Sequence, residues 1–409
     1  MACDALPDGP TPSFDVDRAR ADTPWCEAVL HLNHAGCSLA PRVVLDAQIE
    51  WLRSEAAVGG YELAEQRAGE RDATYAEVAA LIGASPDEIA LVENATFAWH
   101  QAFWALGLRP GDRILTGNAE YATGWISFLQ AERRLGVRIE VVPDDEHGQT
   151  SVEALARLLD DGRGPVGLVA LTHVPTNGGL VNPAEAVGRL TRAAGVPYLL
   201  DACQSVGQMP VDVDAIGCDL LAATGRKFLR APRGTGFLYV RRALLDRTDP
   251  ASLEPAYLDL DGAEVVAPDR YEMRSDARRF ENWESNLAAG AGLRAAVAYA
   301  RGWGLDAIAR RVTAVAAGLR GRLSEVPGVV VHDRGQRRSG IVTFTKEGHG
   351  ADEIRRVLAR QAINVSVSLP SSTPLDAGRR GLPPLVRASV HYLTADDELD
   401  RTAAAVAAL

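Results

Sequence analysis

Short apolar runs alternate with amphipathic stretches through the middle of the chain. Residues 114–115, 139–142, 166–174 and 198–200 are apolar segments of strand length. Stretches 151–159 and 183–194 instead place apolar residues three and four apart, the period of a helix with one buried face. Strands alternating with helices between about residues 86 and 245 predict an α/β unit, with a largely parallel sheet covered on both faces. Ahead of it, 42–59 and 61–82 read as two helices interrupted at Gly59-Gly60. Behind it, residues 250–280 read as irregular. Helices over 285–303 and 305–325, strands over 329–332 and 340–345, a helix over 351–361, two more strands and a terminal helix complete a smaller α+β unit. The expected division is an N-terminal arm over 1–29, a large domain over 30–275 and a small C-terminal domain over 276–409, with the arm packing near the small domain.

Composition changes this picture in two ways. The chain has 409 residues, 47% of them hydrophobic, enough for a sizeable core, and its net charge of −11 disfavours nucleic acid and anionic membrane surfaces as partners. No apolar stretch approaches the roughly 18 residues of a membrane span. The first residues are acidic and Pro-rich, unlike a signal peptide, so a cytoplasmic location is expected. Five scattered cysteines, Cys3, Cys26, Cys37, Cys203 and Cys218, form no C-x-x-C pair, and the eight histidines stand apart, so neither a disulfide framework nor a metal site is expected. The second change concerns the basic residues. Of 43, only Lys227 and Lys346 are lysine. Arginine replaces lysine where charge alone matters, but it cannot form a Schiff base.

Lys227 lies in an informative setting. The apolar run 198–200 delivers Asp201, followed by Ala202-Cys203-Gln204, at the carboxyl end of a predicted strand, where open α/β sheets place ligands. Further on comes Thr224-Gly225-Arg226-Lys227-Phe228. A lysine, a carboxylate and nearby donors meet the needs of pyridoxal phosphate, which requires a Schiff-base amine, a partner for its pyridinium nitrogen and a phosphate cup. Lys346, beside Glu347-Gly348-His349-Gly350, reads as a solvated turn residue.

These motifs, in this order, resemble the class V, fold-type I pyridoxal phosphate enzymes, a group that includes cysteine desulfurases, isopenicillin N epimerase-like proteins and cysteine-conjugate C–S lyases. The resemblance runs from about His31 to the C-terminus. It implies that Lys227 binds the cofactor covalently, that Asp201 pairs with the ring nitrogen and that Gln204 bonds the phenolic oxygen. Ala95 and Thr96, at a helix start, would hold the phosphate together with Thr224 and Arg226. Tyr121 takes the place of the stacking aromatic, a position that is histidine in many desulfurases. Arg387 would grip the substrate carboxylate, with Asn33 and Asn177 close to the substrate. The resemblance also implies a homodimer with active sites at the interface.

Two departures bear on activity. Desulfurases relay sulfur through a mobile cysteine, yet segment 364–373 has none, and no cysteine follows Cys218. The expected function is therefore C–S β-cleavage of an S-substituted cysteine, with aminotransferase, epimerase and decarboxylating or deaminating activities as alternatives. A non-catalytic pyridoxal-binding regulator is disfavoured, because no basic helix-turn-helix segment precedes the motifs. The second departure is Asn282-Trp283-Glu284, where many relatives carry a Gly-Thr pair that reaches the partner's phosphate. There Trp283 is expected to shape a substrate pocket. His34, His173 and His391 read as structural, and Cys203 and Cys218 as small buried hydrophobes.

Overall fold

The computed structural model describes residues 14–248 and 252–409. Cys3 and the first part of the expected arm lie outside the described residues. A short strand, β1 (Leu30–His31), precedes the helices Arg42–Val58, Gly60–Gln66 and Ala68–Ile82. Next come β2 (Ile89–Val92), β3 (Arg113–Thr116), β4 (Arg138–Val141), β5 (Val166–Thr172), β6 (Tyr198–Asp201), β7 (Leu220–Thr224) and β8 (Gly236–Val240). They form one seven-stranded sheet in the order β2-β8-β7-β6-β5-β3-β4. All pairings from β7 across to β4 are parallel, while β8, between β2 and β7, is antiparallel to both.

The strand side chains alternate between two cores, as a period of two requires. Leu115, Val169, Leu171, Leu200 and Leu221 enter one core, while Ile114, Leu168, Ala170, Leu199 and Leu220 enter the other. The helices Ala68–Ile82, Ala184–Ala194 and Leu287–Trp303 cover the first face. Ala95–Ala105 and Ala122–Leu135 cover the second. Burial on both faces explains why β5 and β6 read as unbroken apolar runs.

The structure departs from the expected elements most plainly at two places, and it adds a short helix over Pro374–Arg380 and a third strand after Ala351–Arg360. The helix expected over 61–82 breaks at Arg67, which caps Gly60–Gln66 at φ −110° and ψ 21°. Its guanidinium is drawn to Glu50 on the preceding helix, with bonds of 2.7 and 2.6 Å, and lies 5.5 Å from the centre of the Trp51 ring. The stretch expected to be irregular contains a hairpin, β9 (Ala263–Ala267) with β10 (Arg270–Met273). Its side chains are largely exposed on both faces, so no alternation marks it in the sequence.

After the hairpin come β11 (Val329–Val331), β12 (Ile341–Lys346), β13 (Ile363–Asn364), β14 (Ser366–Ser368) and β15 (Leu385–Ser389). An antiparallel sheet in the order β11-β12-β15-β14 packs Val342, Phe344, Val386 and Ala388 against the helices Leu305–Ser324, Ala351–Arg360 and Asp396–Ala407. β13 pairs in parallel with β1. The helix Leu305–Ser324 serves both units: Ile308 and Val312 lie in the first core, Val315 and Leu319 in that of the small sheet. The described part of the arm packs at the C-terminal end, Phe14 stacking on Trp303 at 4.7 Å and Arg20 pairing with Glu398 at 3.1 Å.

A buried ion pair sits where the small sheet meets the loop that follows β5. Asp333 accepts from Arg320 Nε at 2.6 Å and from the Thr343 N–H at 2.9 Å. Arg320 also donates to the carbonyls of Ser339 and Ile341, and the Ser339 N–H donates to the Gly179 carbonyl at 2.7 Å. A Cβ on Gly179 would lie 2.4 Å from Arg320 Nη2, so the close approach depends on glycine here. Asp333→Ala leaves the buried Arg320 charge without an anionic partner, a loss of about 3–5 kcal/mol. The urea midpoint should fall accordingly, with an unchanged denaturant slope.

Candidate active site

Because β3, β5, β6 and β7 are parallel neighbours, their carboxyl ends finish side by side. Thr172 pairs with Asp201, and Asp201 with Ala222. The segments leaving these ends carry Glu120-Tyr121, 173–179, Asp201 to Gln204 and Thr224 to Lys227, all at one edge of the sheet. Asp201 is held by the Cys203 N–H, which donates to its Oδ1 at 2.8 Å. The Lys227 ammonium lies 6.0 Å from the centre of the Tyr121 ring. Burial lowers the Lys227 pKa below the ordinary lysine value. Cys203 and Asp201 oppose that shift, and the positive charges of Arg226 and Arg387 add to it. Lys346 is remote from this group; its ammonium donates to the Pro327 carbonyl.

Other chain segments close over this edge. Gln204, buried at 3% exposure, donates from Nε2 to the Ala35 carbonyl at 3.1 Å. Arg226 donates to the Gly36 carbonyl, and Asn33 bridges to Ser389 on β15. Two residues before Ser389 stands Arg387, 8% exposed, whose Nη1 donates to the Thr176 hydroxyl. Arg387 has no carboxylate partner among the described residues. Burial lowers its pKa to about 10; the nearby Tyr121 opposes that shift and Arg226 adds to it.

The expected phosphate cup is only partly assembled. Asn94 caps the helix Ala95–Ala105 by accepting from the Phe97 N–H at 2.9 Å, leaving the amides of Ala95 and Thr96 as free helix donors. Gly236 permits this turn, since a Cβ there would lie 3.1 Å from the Asn94 carbonyl carbon. Thr224, paired with Gly236, adjoins it. However, the Thr224 hydroxyl donates to the Thr235 carbonyl at 3.3 Å, and Arg226 is turned to Gly36. Asn177 is also engaged, donating to the Leu369 carbonyl at 3.0 Å and to the Thr373 hydroxyl at 2.9 Å. Trp283 is 54% exposed. A pocket beside the phosphate turn is lined by Glu93, Phe97, Asn282 and Glu284. Trp283 is held through its backbone N–H, which donates to Asp259 Oδ2 at 3.0 Å.

Buried polar atoms without partners gather at this edge: Asn33 Oδ1, His173 Nδ1, Asn177 Oδ1, Gln204 Oε1 and Arg387 Nε. Each such atom costs about 1–3 kcal/mol unless a ligand meets it. With the Lys227 amine, the Asp201 carboxylate and the free helix amides, they fit a phosphorylated pyridine aldehyde and an amino acid beside it. Among the described residues, no three His, Cys, Asp or Glu side chains are grouped to hold a metal ion, and no helix is long and apolar enough to cross a membrane.

The chain belongs to the aminotransferase class-V family, whose model matches residues 30–402. Its architecture is that of the fold-type I pyridoxal phosphate enzymes, and its cofactor is pyridoxal phosphate. A cysteine desulfurase of Synechococcus elongatus is 28% identical over 96% of this chain; the chain spans 63% of that relative's length. A probable cysteine desulfurase of Methanothermobacter thermautotrophicus is 28% identical over 94% of this chain and 95% of its own. Among solved structures, an apo cysteine desulfurase from Thermococcus onnurineus superposes with a TM-score of 0.86 at 24% identity, covering 98% of this chain and 99% of that one. The cystine C–S lyase C-DES, solved with its product cysteine persulfide, gives 0.83 at 24% identity, covering 94% and 99%.

Sequence reasoning passed over two residues at this edge. Thr176, beside the chosen Asn177, is the one that touches Arg387. Glu120 directly precedes Tyr121 and is 2% exposed. It accepts from the Thr172 hydroxyl at 2.7 Å, the Thr172 N–H at 3.1 Å and the Thr116 hydroxyl at 3.1 Å, and the Tyr121 N–H donates to Thr172 Oγ1 at 3.3 Å. Its only signal in the sequence is a carboxylate close behind an apolar strand. Burial raises its pKa to about 7; the Thr172 hydroxyl opposes that rise and the Asp201 charge adds to it. The folded chain thus keeps a proton that an unfolded carboxyl releases near 4.5, so stability falls as pH rises from about 4.5 to 7. Urea midpoints taken across that window should decline less in Glu120→Gln, the difference amounting to about 3 kcal/mol.

Proposed function

We propose that the chain is a pyridoxal phosphate lyase that cleaves the Cβ–S bond of an S-substituted cysteine. When bound, pyridoxal phosphate supplies an electron sink for bonds broken at the Cα of an amino acid. Lys227 would hold it, and the Asp201 carboxylate would keep the ring nitrogen protonated. Gln204 would face the ring oxygen, Tyr121 would lie over the ring, and the Ala95 and Thr96 amides would hold the phosphate, with Thr224 and Arg226 beside them after side-chain rotation. Arg387 would take the substrate carboxylate, with Asn33 next to it.

With an amino acid bound, the Lys227 amine would be free to move a proton at Cα. Burial lowers its pKa, which favours the neutral amine that can take up a proton. Loss of a thiolate from Cβ followed by hydrolysis balances as substrate plus water giving thiol, pyruvate and ammonia.

One observation favours cleavage with release of a small thiol over sulfur relay. The segment where desulfurases carry their cysteine has none here, and Asn177 ties it down at Leu369 and Thr373. The relatives and the C–S lyase neighbour support a sulfur-bearing amino acid as substrate. The exposed Tyr121, Ile126 and Leu129 beside the site support a homodimer closing over it.

The test supplies cysteine and several S-alkyl cysteines to the holoenzyme and measures thiol, pyruvate and ammonia. Equal release of all three is expected. Turnover that requires a keto acid and yields no thiol would overturn the reading in favour of transamination. Lys227→Ala should lose the visible absorption of the bound cofactor and at least about a hundredfold in rate. Lys346→Ala should change neither.

A further inference from the structure

Arg387 is buried at 8% exposure, yet the contacts that orient it come from a single residue. The Thr176 hydroxyl oxygen accepts from Arg387 Nη1 at 2.5 Å, and the Thr176 carbonyl accepts from the same nitrogen at 3.4 Å. Arg387 Nε has no partner. A guanidinium offers five N–H donors in a rigid plane, and a carboxylate binds it best through two parallel bonds along one edge. Engaging Nη1 leaves the edge formed by Nε and Nη2 for the ligand. The same hydroxyl oxygen receives Gln204 Nε2 at 3.5 Å, and Thr176 is itself 8% exposed. Two buried side chains reaching different parts of the site therefore share one oxygen.

We propose that Thr176 is a positioning residue: it holds Arg387 so that the Nε–Nη2 edge meets the substrate carboxylate, and it couples that contact to Gln204. The proposal rests on the reading of Arg387 as the carboxylate partner, and the experiment separates the two.

The holoenzyme is titrated with glycine and with methylamine, which is glycine without its carboxylate. Binding is read from the visible spectrum of the cofactor, so no turnover is needed. Arg387→Ala should abolish the preference for glycine. Thr176→Val, which keeps the shape and removes the hydroxyl, should weaken glycine binding about tenfold or more and leave methylamine unchanged. Thr176→Ser should restore glycine binding. Combining Thr176→Val with Arg387→Ala should weaken glycine no further than Arg387→Ala alone, as expected of residues acting through one contact. Thr176→Ala provides a second reading should the valine variant fail to fold.

If Thr176→Val and Thr176→Ala weaken both ligands equally, or leave glycine binding intact while Arg387→Ala removes the preference, the positioning role is overturned and the carboxylate assignment stands. If Arg387→Ala keeps the preference for glycine, the carboxylate assignment fails and the role of Thr176 fails with it.

Discussion

The site depends on the register of the parallel strands. Thr172, Asp201 and Ala222 lie opposite one another at the carboxyl ends of β5, β6 and β7. A slip of one residue in β6 would turn Asp201 to the other face of the sheet and place an apolar side chain where the carboxylate now stands. The alternation of β6 between two cores, Leu199 in one and Leu200 in the other, resists that slip. Core packing thus sets the position of a charge that the core itself does not contain.

Around that charge, cations outnumber anions. Lys227, Arg226 and Arg387 influence one another, and Arg387 has no acidic partner among the described residues. An anionic ligand would lower the energy of this arrangement by supplying the missing charge. Glu120 adds a carboxyl whose ionisation is resisted by burial, so the edge of the sheet stays electropositive around Asp201.

Much of this was legible in the sequence. The strand and helix periods from β2 to β8 follow from burial on both faces, and Lys227 stands out because the chain has so little lysine. The hairpin of β9 and β10 escaped because its side chains are exposed on both sides. The break at Arg67 escaped because it depends on Glu50, a contact between helices that no single helix pattern records. Thr176 was missed for a similar reason. Its importance comes from Arg387, 211 residues away in the chain. Asn177, one position along, looked more promising by residue type, yet its amide nitrogen serves the loop at Leu369 and Thr373.

The two lysines differ in more than role. Lys346 sits at the end of β12 with its ammonium on a carbonyl at the protein surface, and Lys227 lies beside Tyr121 at the carboxyl edge of the large sheet. Among side-chain amines the protein thus has one at a surface turn and one at the candidate site. A reagent that modifies lysine side chains has these two targets alone in the sequence, and only one of them lies at the candidate site. The scarcity that marks Lys227 in the sequence makes its accessibility directly readable as a label count.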